Sequence, residues 1–240
     1  MEMYHNYNEP AETTVCQEVT APQEVTTETV PQENQRNVIT LKKPYTFEKK
    51  EYTEIDLSGL DKLTIQDAID AQRKLFGERE TASVVLCETT TAFAREIAAK
   101  ATGLPIEFFK FAPRGLSKQI AAAIQDHVSV DQSMKNQVMK LKAPYQFKGT
   151  TDEEIELFKW TTVEEIDLSG VADLNSLDES EAENRLVREG FVITDNSTNY
   201  LYACCIASMA TKYPESFFTG LPLAELVKLR TAVNDAGFFE

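Results

Sequence analysis

Lys43-Pro44-Tyr45-Thr46-Phe47, followed by Glu54-Ile55-Asp56-Leu57-Ser58-Gly59-Leu60, returns as Ala143-Pro144-Tyr145-Gln146-Phe147 and Glu165-Ile166-Asp167-Leu168-Ser169-Gly170-Val171. The second occurrence begins about 100 residues after the first. The echo runs to the end of each copy. Leu104-Pro105-Ile106-Glu107-Phe108-Phe109 is answered by Tyr213-Pro214-Glu215-Ser216-Phe217-Phe218, and Ile120 with Ala123-Ile124-Gln125-Asp126 by Leu229 with Ala232-Val233-Asn234-Asp235. A period this long exceeds the roughly 20–50 residues of a solenoid unit and points to two tandem copies of one small domain. The shared residues are apolar and turn-forming rather than catalytic, which points to a binding protein.

Outward from the repeat, the chain of 240 residues divides into an acidic segment, 1–37, a first copy, 38–130, and a second, 138–240. The first segment is dominated by Thr, Glu, Gln, Pro and Val, with no apolar period to build a core, and is expected to be a disordered tail. In the first copy, Val38–Leu41 and Tyr52–Leu57 have strand character, with Pro44 suited to the edge or loop side of a hairpin. Thr64 with Asp67 three positions on predicts a helix start, and Gly77 its end. Phe93, Ala94, Ile97, Ala98 and Ala101 predict a helix from about Thr90 to Thr102, stopped by Gly103. Pro105 opens a short turn carrying Phe108 and Phe109, and Pro113 a last helix with Leu116, Ile120, Ile124 and Val128 on one face. The second copy repeats the plan, with helices expected at Asp178–Glu189, Tyr200–Lys212, Glu215–Phe218 and Leu223–Ala236. It also carries an insertion of about eleven residues between Gly149 and Thr162, which either lengthens the hairpin arm or forms an exposed loop. A short polar linker, Ser129–Asn136, joins the copies closely. The expected fold class is α+β: two tandem small domains, each an N-terminal hairpin followed by a helical bundle.

Composition narrows the function classes. A net charge of −15 repels phosphate backbones, so nucleic acid is not an expected partner. No run approaches the ~20 apolar residues of a membrane span, and no membrane partner is expected. The first residues, Met1-Glu2-Met3-Tyr4-His5, lack the pattern of a signal peptide, so the expected compartment is the cytoplasm. Four cysteines and two histidines show no zinc spacing, and neither metal nor cofactor is expected. Glycine-rich phosphate loops and nucleophile motifs are absent, so no catalytic residue is named. Asp56 and Asp167 fit turn residues that bind nearby backbone N–H groups. Cys204 and Cys205, inside an apolar run, fit buried core fillers, and Cys87 with His127 has no counterpart in the second copy.

The Phe108-Phe109 and Phe217-Phe218 pairs sit on short helical turns, where neighbours lie ~100° apart. Either one ring of each pair packs while the other reaches a groove or partner, or both sit partly buried in an interhelical corner. Trp160, beside Phe158 in the insertion, reads as a core residue or as a contact residue.

The order of these motifs resembles bacteriophage tail assembly chaperones: Leu-Lys-x-Pro-Tyr-x-Phe, then Tyr-Thr-Glu-Ile-Asp-Leu-Ser-Gly-Leu, an Ala-rich helix, Gly-Leu-Pro-x-Glu-Phe-Phe, and a final amphipathic helix. The resemblance covers nearly all of the first copy and, more weakly, the second, where Lys212-Tyr213-Pro214 replaces Gly103-Leu104-Pro105. It implies a non-enzymatic protein of the infected host's cytoplasm, absent from the finished virion. Such a protein binds and solubilises the tape measure protein and recruits tail tube subunits, the major tail tube protein being a further partner. The expected contacts, as exposed aromatics, are Phe108, Phe109, Phe217, Phe218 and Trp160. The alternative is a structural tail or baseplate component, and an acidic DNA mimic ranks below both.

Overall fold

The computed structural model describes residues 37–78, 86–129, 137–158, 161–192 and 196–236. The acidic segment up to residue 36, most of the linker (130–136) and Trp160 lie outside the described residues. The class is α+β, with two separate two-stranded sheets and, among the described residues, nine α-helices.

The first half opens with an antiparallel hairpin, β1 (Val38–Phe47) and β2 (Lys50–Asp56). Its register runs from Val38 opposite Asp56 to Phe47 opposite Lys50, with an irregularity between Thr40 and Tyr45. Pro44 falls in that gap, where its missing N–H costs no ladder bond. The turn residues Glu48 and Lys49 both have positive φ, 48° and 67°. That is the two-residue geometry whose twist matches a hairpin, here without the glycine or asparagine that usually occupies it. A 3-10 turn, Ser58–Lys62, leads to α1 (Ile65–Gly77). The Asp67 carboxylate accepts the Thr64 N–H at 2.9 Å, closing a capping box. After a short 3-10 turn, Cys87–Thr89, come α2 (Thr91–Thr102), α3 (Ile106–Lys110) and α4 (Arg114–Val128). Thr90 caps α2 by accepting the Phe93 N–H, and Gly103, at φ 70°, ends it in the left-handed conformation a glycine adopts without strain.

The second half repeats the order. It comprises β3 (Val138–Gln146), β4 (Thr162–Asp167), α6 (Ser176–Arg188), α7 (Tyr200–Ala210), α8 (Glu215–Thr219) and α9 (Leu226–Ala236). The insertion between the strands is neither a longer hairpin nor a plain loop. It contains a helix, α5 (Asp152–Phe158).

Local devices recur at matching positions. Asn175 and Asp178 cap α6 as Thr64 and Asp67 cap α1. The carboxylates of Asp56 and Asp167 accept the N–H of Ser58 and Ser169, at 2.8 and 2.9 Å. The glycines that follow are contact points. A Cβ on Gly59 would lie 1.9 Å from the Ala101 carbonyl oxygen, and one on Gly170 2.4 Å from that of Ala210. The Asp-Leu-Ser-Gly turn is therefore seated directly on the C-terminal end of the following long helix, α2 or α7, and only glycine permits the approach.

The halves belong to one compact unit and share a continuous core. The segment before α1 pairs with the segment before α9: Ile65 N–H donates to the Leu221 carbonyl, Leu223 N–H donates to that of Leu63, both at 2.9 Å, and Thr64 bridges Pro222 in antiparallel sense. Helix α1 then lies against α7 and α8. Its Gln72 amide spans Thr198 O and Tyr200 N–H, at 3.0 and 3.2 Å, and Arg73 reaches Glu189 at 2.8 Å. Phe76 meets Phe191 with ring centroids 5.9 Å apart. The two halves use unlike faces. Helix α1 buries Ile65, Ala68, Ile69, Ala71, Gln72 and Leu75, whereas α6, its equivalent, buries only Ala182 and Leu186.

Candidate functional site

The aromatic pairs lie at the centre of each half. Phe108 is fully buried, with edge-on rings around it: Tyr52 at 4.8 Å, Tyr45 at 4.9 Å, Phe109 at 5.0 Å and Phe47 at 5.4 Å between centroids. Tyr45 also donates its hydroxyl to the Phe108 carbonyl at 3.1 Å. Phe217 is held alike, with Tyr213 stacked at 4.2 Å and Phe218, Tyr145 and Phe147 edge-on at 5.1 to 5.5 Å. Phe109 and Phe218 are buried too. The expectation of exposed rings at Phe108, Phe109, Phe217 and Phe218 is therefore corrected. The hairpin brings its Pro-Tyr-x-Phe aromatics onto the Phe-Phe turn, and the two motifs seal each other. Both members of each pair are buried because helices cover one ring and the hairpin the other. Trp160, the fifth candidate, lies outside the described residues.

The groups considered for chemistry have structural partners. Hydrogen bonds from Ser58 and Ser169 hold the Asp56 and Asp167 carboxyls below the usual aspartate range, the turn role expected of them. Burial pushes the Cys87 thiol up to about 12 and raises Cys204 and Cys205 as well, so none is a ready thiolate. His127 is pulled down by burial, with Asp61 3.8 Å away acting in the opposite direction. Among the described residues no three His, Cys, Asp or Glu side chains are grouped to hold a metal ion.

A buried charge cluster lies where the halves meet. The Glu88 carboxylate accepts the Tyr200 hydroxyl at 2.7 Å and lies 2.8 Å from Arg230 Nη1, while the Glu88 N–H donates to Tyr200 Oη at 3.0 Å. Tyr200 is raised well above its ordinary value, first by burial and then by the Glu88 charge. This cluster clips the Cys87–Thr89 turn of the first half to α7 and α9 of the second. Nothing in the sequence marks it, because Glu88 and Arg230 stand 142 positions apart.

What remains open to a partner is a set of exposed apolar side chains. Helix α5 presents Ile155 and Leu157, 44% and 71% exposed, among Asp152, Glu153 and Glu156. Its inner side is fixed by Phe158, packed between Phe147 and Tyr213, and by Glu154, which accepts hydrogen bonds from Thr150 and Ser216. The sequence held one signal for this helix, Thr-Thr-x-x-Glu at 150–154, which reads as a capping box. On the first half, Phe111 stands 73% exposed, and a shallow dent is lined by Thr91, Ala94, Arg95, Phe109, Ser117 and Ile120. The dent encloses only about 10 Å³, room for about one water, so it is no small-molecule pocket. On the second half Leu177, in α6, is 78% exposed. No family model matches this chain, and no curated protein or solved structure matches it.

Proposed function

We propose that this chain is a non-enzymatic assembly chaperone of the phage tail class, built from tandem copies of one α+β module. In this reading it acts in the cytoplasm of the infected host, keeps the tape measure protein soluble and helps recruit the tail tube protein. Support comes from the resemblance in motif order and from what those motif residues do: Pro-Tyr-x-Phe, Asp-Leu-Ser-Gly and Phe-Phe are packing and turn devices. The net charge of −15 suits a protein that keeps an apolar partner in solution.

The observation that carries the proposal is the α5 arm, a short acidic helix with Leu157 and Ile155 turned to solvent and its base locked by Phe158. The partner contact is accordingly assigned to Leu157 and Ile155, with Trp160 three positions further along the chain, in place of the four buried phenylalanines. Apolar anchors ringed by carboxylates suit an apolar helix with basic flanks.

The test is co-expression with the tape measure protein of the same genome and a pull-down through a tag on this chain. Co-purification of a soluble complex is the expected result, and its loss in the Ile155→Glu, Leu157→Glu variant assigns the contact to α5. An insoluble tape measure protein, with this chain instead present in purified particles, would favour the second reading, a structural tail or baseplate component.

A further inference from the structure

Charge is unevenly shared along this acidic chain. Residues 37–129 carry 13 acidic and 13 basic side chains, whereas 130–240 carry 19 and 10, so the negative charge of the folded part belongs to the second half. Within the first half the basic residues gather again. From Lys110 to Gln125 no acidic residue occurs, and Lys110, Arg114 and Lys118 are all exposed. Arg95 of α2 joins them across the α2–α4 dent, which it lines together with Ser117, the neighbour of Lys118 on α4. The nearest acids in the chain are Glu96, held by Lys74 at 2.8 Å, and Glu107 and Asp126 at the two ends of the stretch.

These cations have no partner of their own. Arg73, Lys74, Lys100, Arg185 and Arg230 each meet a carboxylate. Among the described residues Arg95, Lys110, Arg114 and Lys118 form no ion pair. Arg95 is also packed in place: its Nε is enclosed without a hydrogen-bond partner, so the guanidinium is held beside the dent rather than free to sweep the surface. A fixed guanidinium loses little freedom when an anion binds.

We propose that this face of the first half, with Arg95, Lys110, Arg114, Lys118 and the exposed ring of Phe111, docks an acidic segment of a partner protein. The proposal goes beyond the chaperone reading and does not depend on it, since α5 lies on the other half. The floor of the dent is closed, with Phe109 and Ile120 buried, so the contact is made at its rim. There a carboxylate meets Arg95 with the hydroxyl-bearing Thr91 and Ser117 beside it. Arg114 and Lys118, four positions apart on α4, lie ~6 Å apart along its axis, the spacing of carboxylates one turn apart on a partner helix. Phe111, 73% exposed between Lys110 and Arg114 in the chain, supplies an apolar anchor. Charge also decides the class of partner. A nucleic acid or an anionic membrane extends beyond the ~8 Å over which these cations act and meets a molecule of net charge −15, whereas a short acidic segment stays on the patch.

The test is a selection of displayed random 16-residue peptides on the full chain, with counter-selection on the Arg114→Glu, Lys118→Glu variant. Enriched peptides are expected to be rich in Asp and Glu and to carry an aromatic or aliphatic residue. Made synthetically and followed by fluorescence anisotropy, they are expected to lose affinity roughly tenfold or more in that variant and in Arg95→Gln, and to weaken as salt is raised. The Ile155→Glu, Leu157→Glu variant is expected to bind them as the wild type does, which separates this site from the α5 contact. Arg114 and Lys118 are exposed, and unchanged circular dichroism and melting confirm that their variant folds. The proposal is overturned if no acidic peptide is enriched, or if those enriched bind the Arg114→Glu, Lys118→Glu variant as tightly. Tighter binding of double-stranded DNA or phosphatidylglycerol vesicles by the same cations overturns it as well.

Discussion

At Phe108 a side chain expected to be exposed turns out to be fully enclosed. Four rings surround it, and truncation there opens a cavity rather than a binding surface. Phe108→Ala and Phe217→Ala are each expected to cost about 3–5 kcal/mol of stability in urea unfolding. A loss below about 1 kcal/mol would contradict the packing described. The residues legible in the sequence were those whose partner is close in the chain. Asp56 and Asp167 satisfy an N–H two positions on, and Thr64 meets Asp67 three positions on. The phenylalanines were not legible, because the tyrosine that bonds the Phe108 carbonyl arrives from 63 positions away. No local pattern encodes that arrival.

Helices whose ends are marked by capping side chains, proline or glycine fall where those marks predict, within a residue or two. Pro105 and Pro113 precede α3 and α4, and Gly103 closes α2. Helix α5 escaped because Asp152–Phe158 is short and carries no repeated apolar stripe; it stands on one buried side chain, Phe158, and on bonds to Glu154. The β1–β2 turn illustrates local chemistry overruled by the strands it joins. Two non-glycine residues are held at positive φ, at roughly 1–2 kcal/mol each. Replacing Glu48-Lys49 by Asn-Gly is expected to stabilise the protein by about 1 kcal/mol, measured as a higher urea midpoint at unchanged slope. An unchanged or lower midpoint would mean that the turn is not strained.

The whole molecule is held by a contact between halves that repeat one plan but have diverged in the residues that meet. The α+β class was legible, whereas the choice of faces was not, since it rests on contrasts such as Ile65 against Ser176 and Ile69 against Ser180. Glu88, Tyr200 and Arg230 add a buried charged clip to that contact. Arg230→Met leaves the Glu88 charge enclosed without its cation and is expected to cost about 3–5 kcal/mol, with Glu88→Gln, which removes the charge but keeps an acceptor for the Tyr200 hydroxyl, recovering most of the loss when added to it. Thermal unfolding followed in both variants checks this; equal losses in the single and double substitutions would show that the ion pair is not what matters. The contact between unlike faces has a further meaning for length. Because the contact lays the α1 face of one half on α7 and α8 of the other, a further module would meet the α6 face in the same way only once Ser176, Ser180 and Val187 were given the side chains found at Ile65, Ile69 and Phe76. Size in this architecture is thus adjustable one unit at a time, and a handful of outward residues on one helix decides where the series stops.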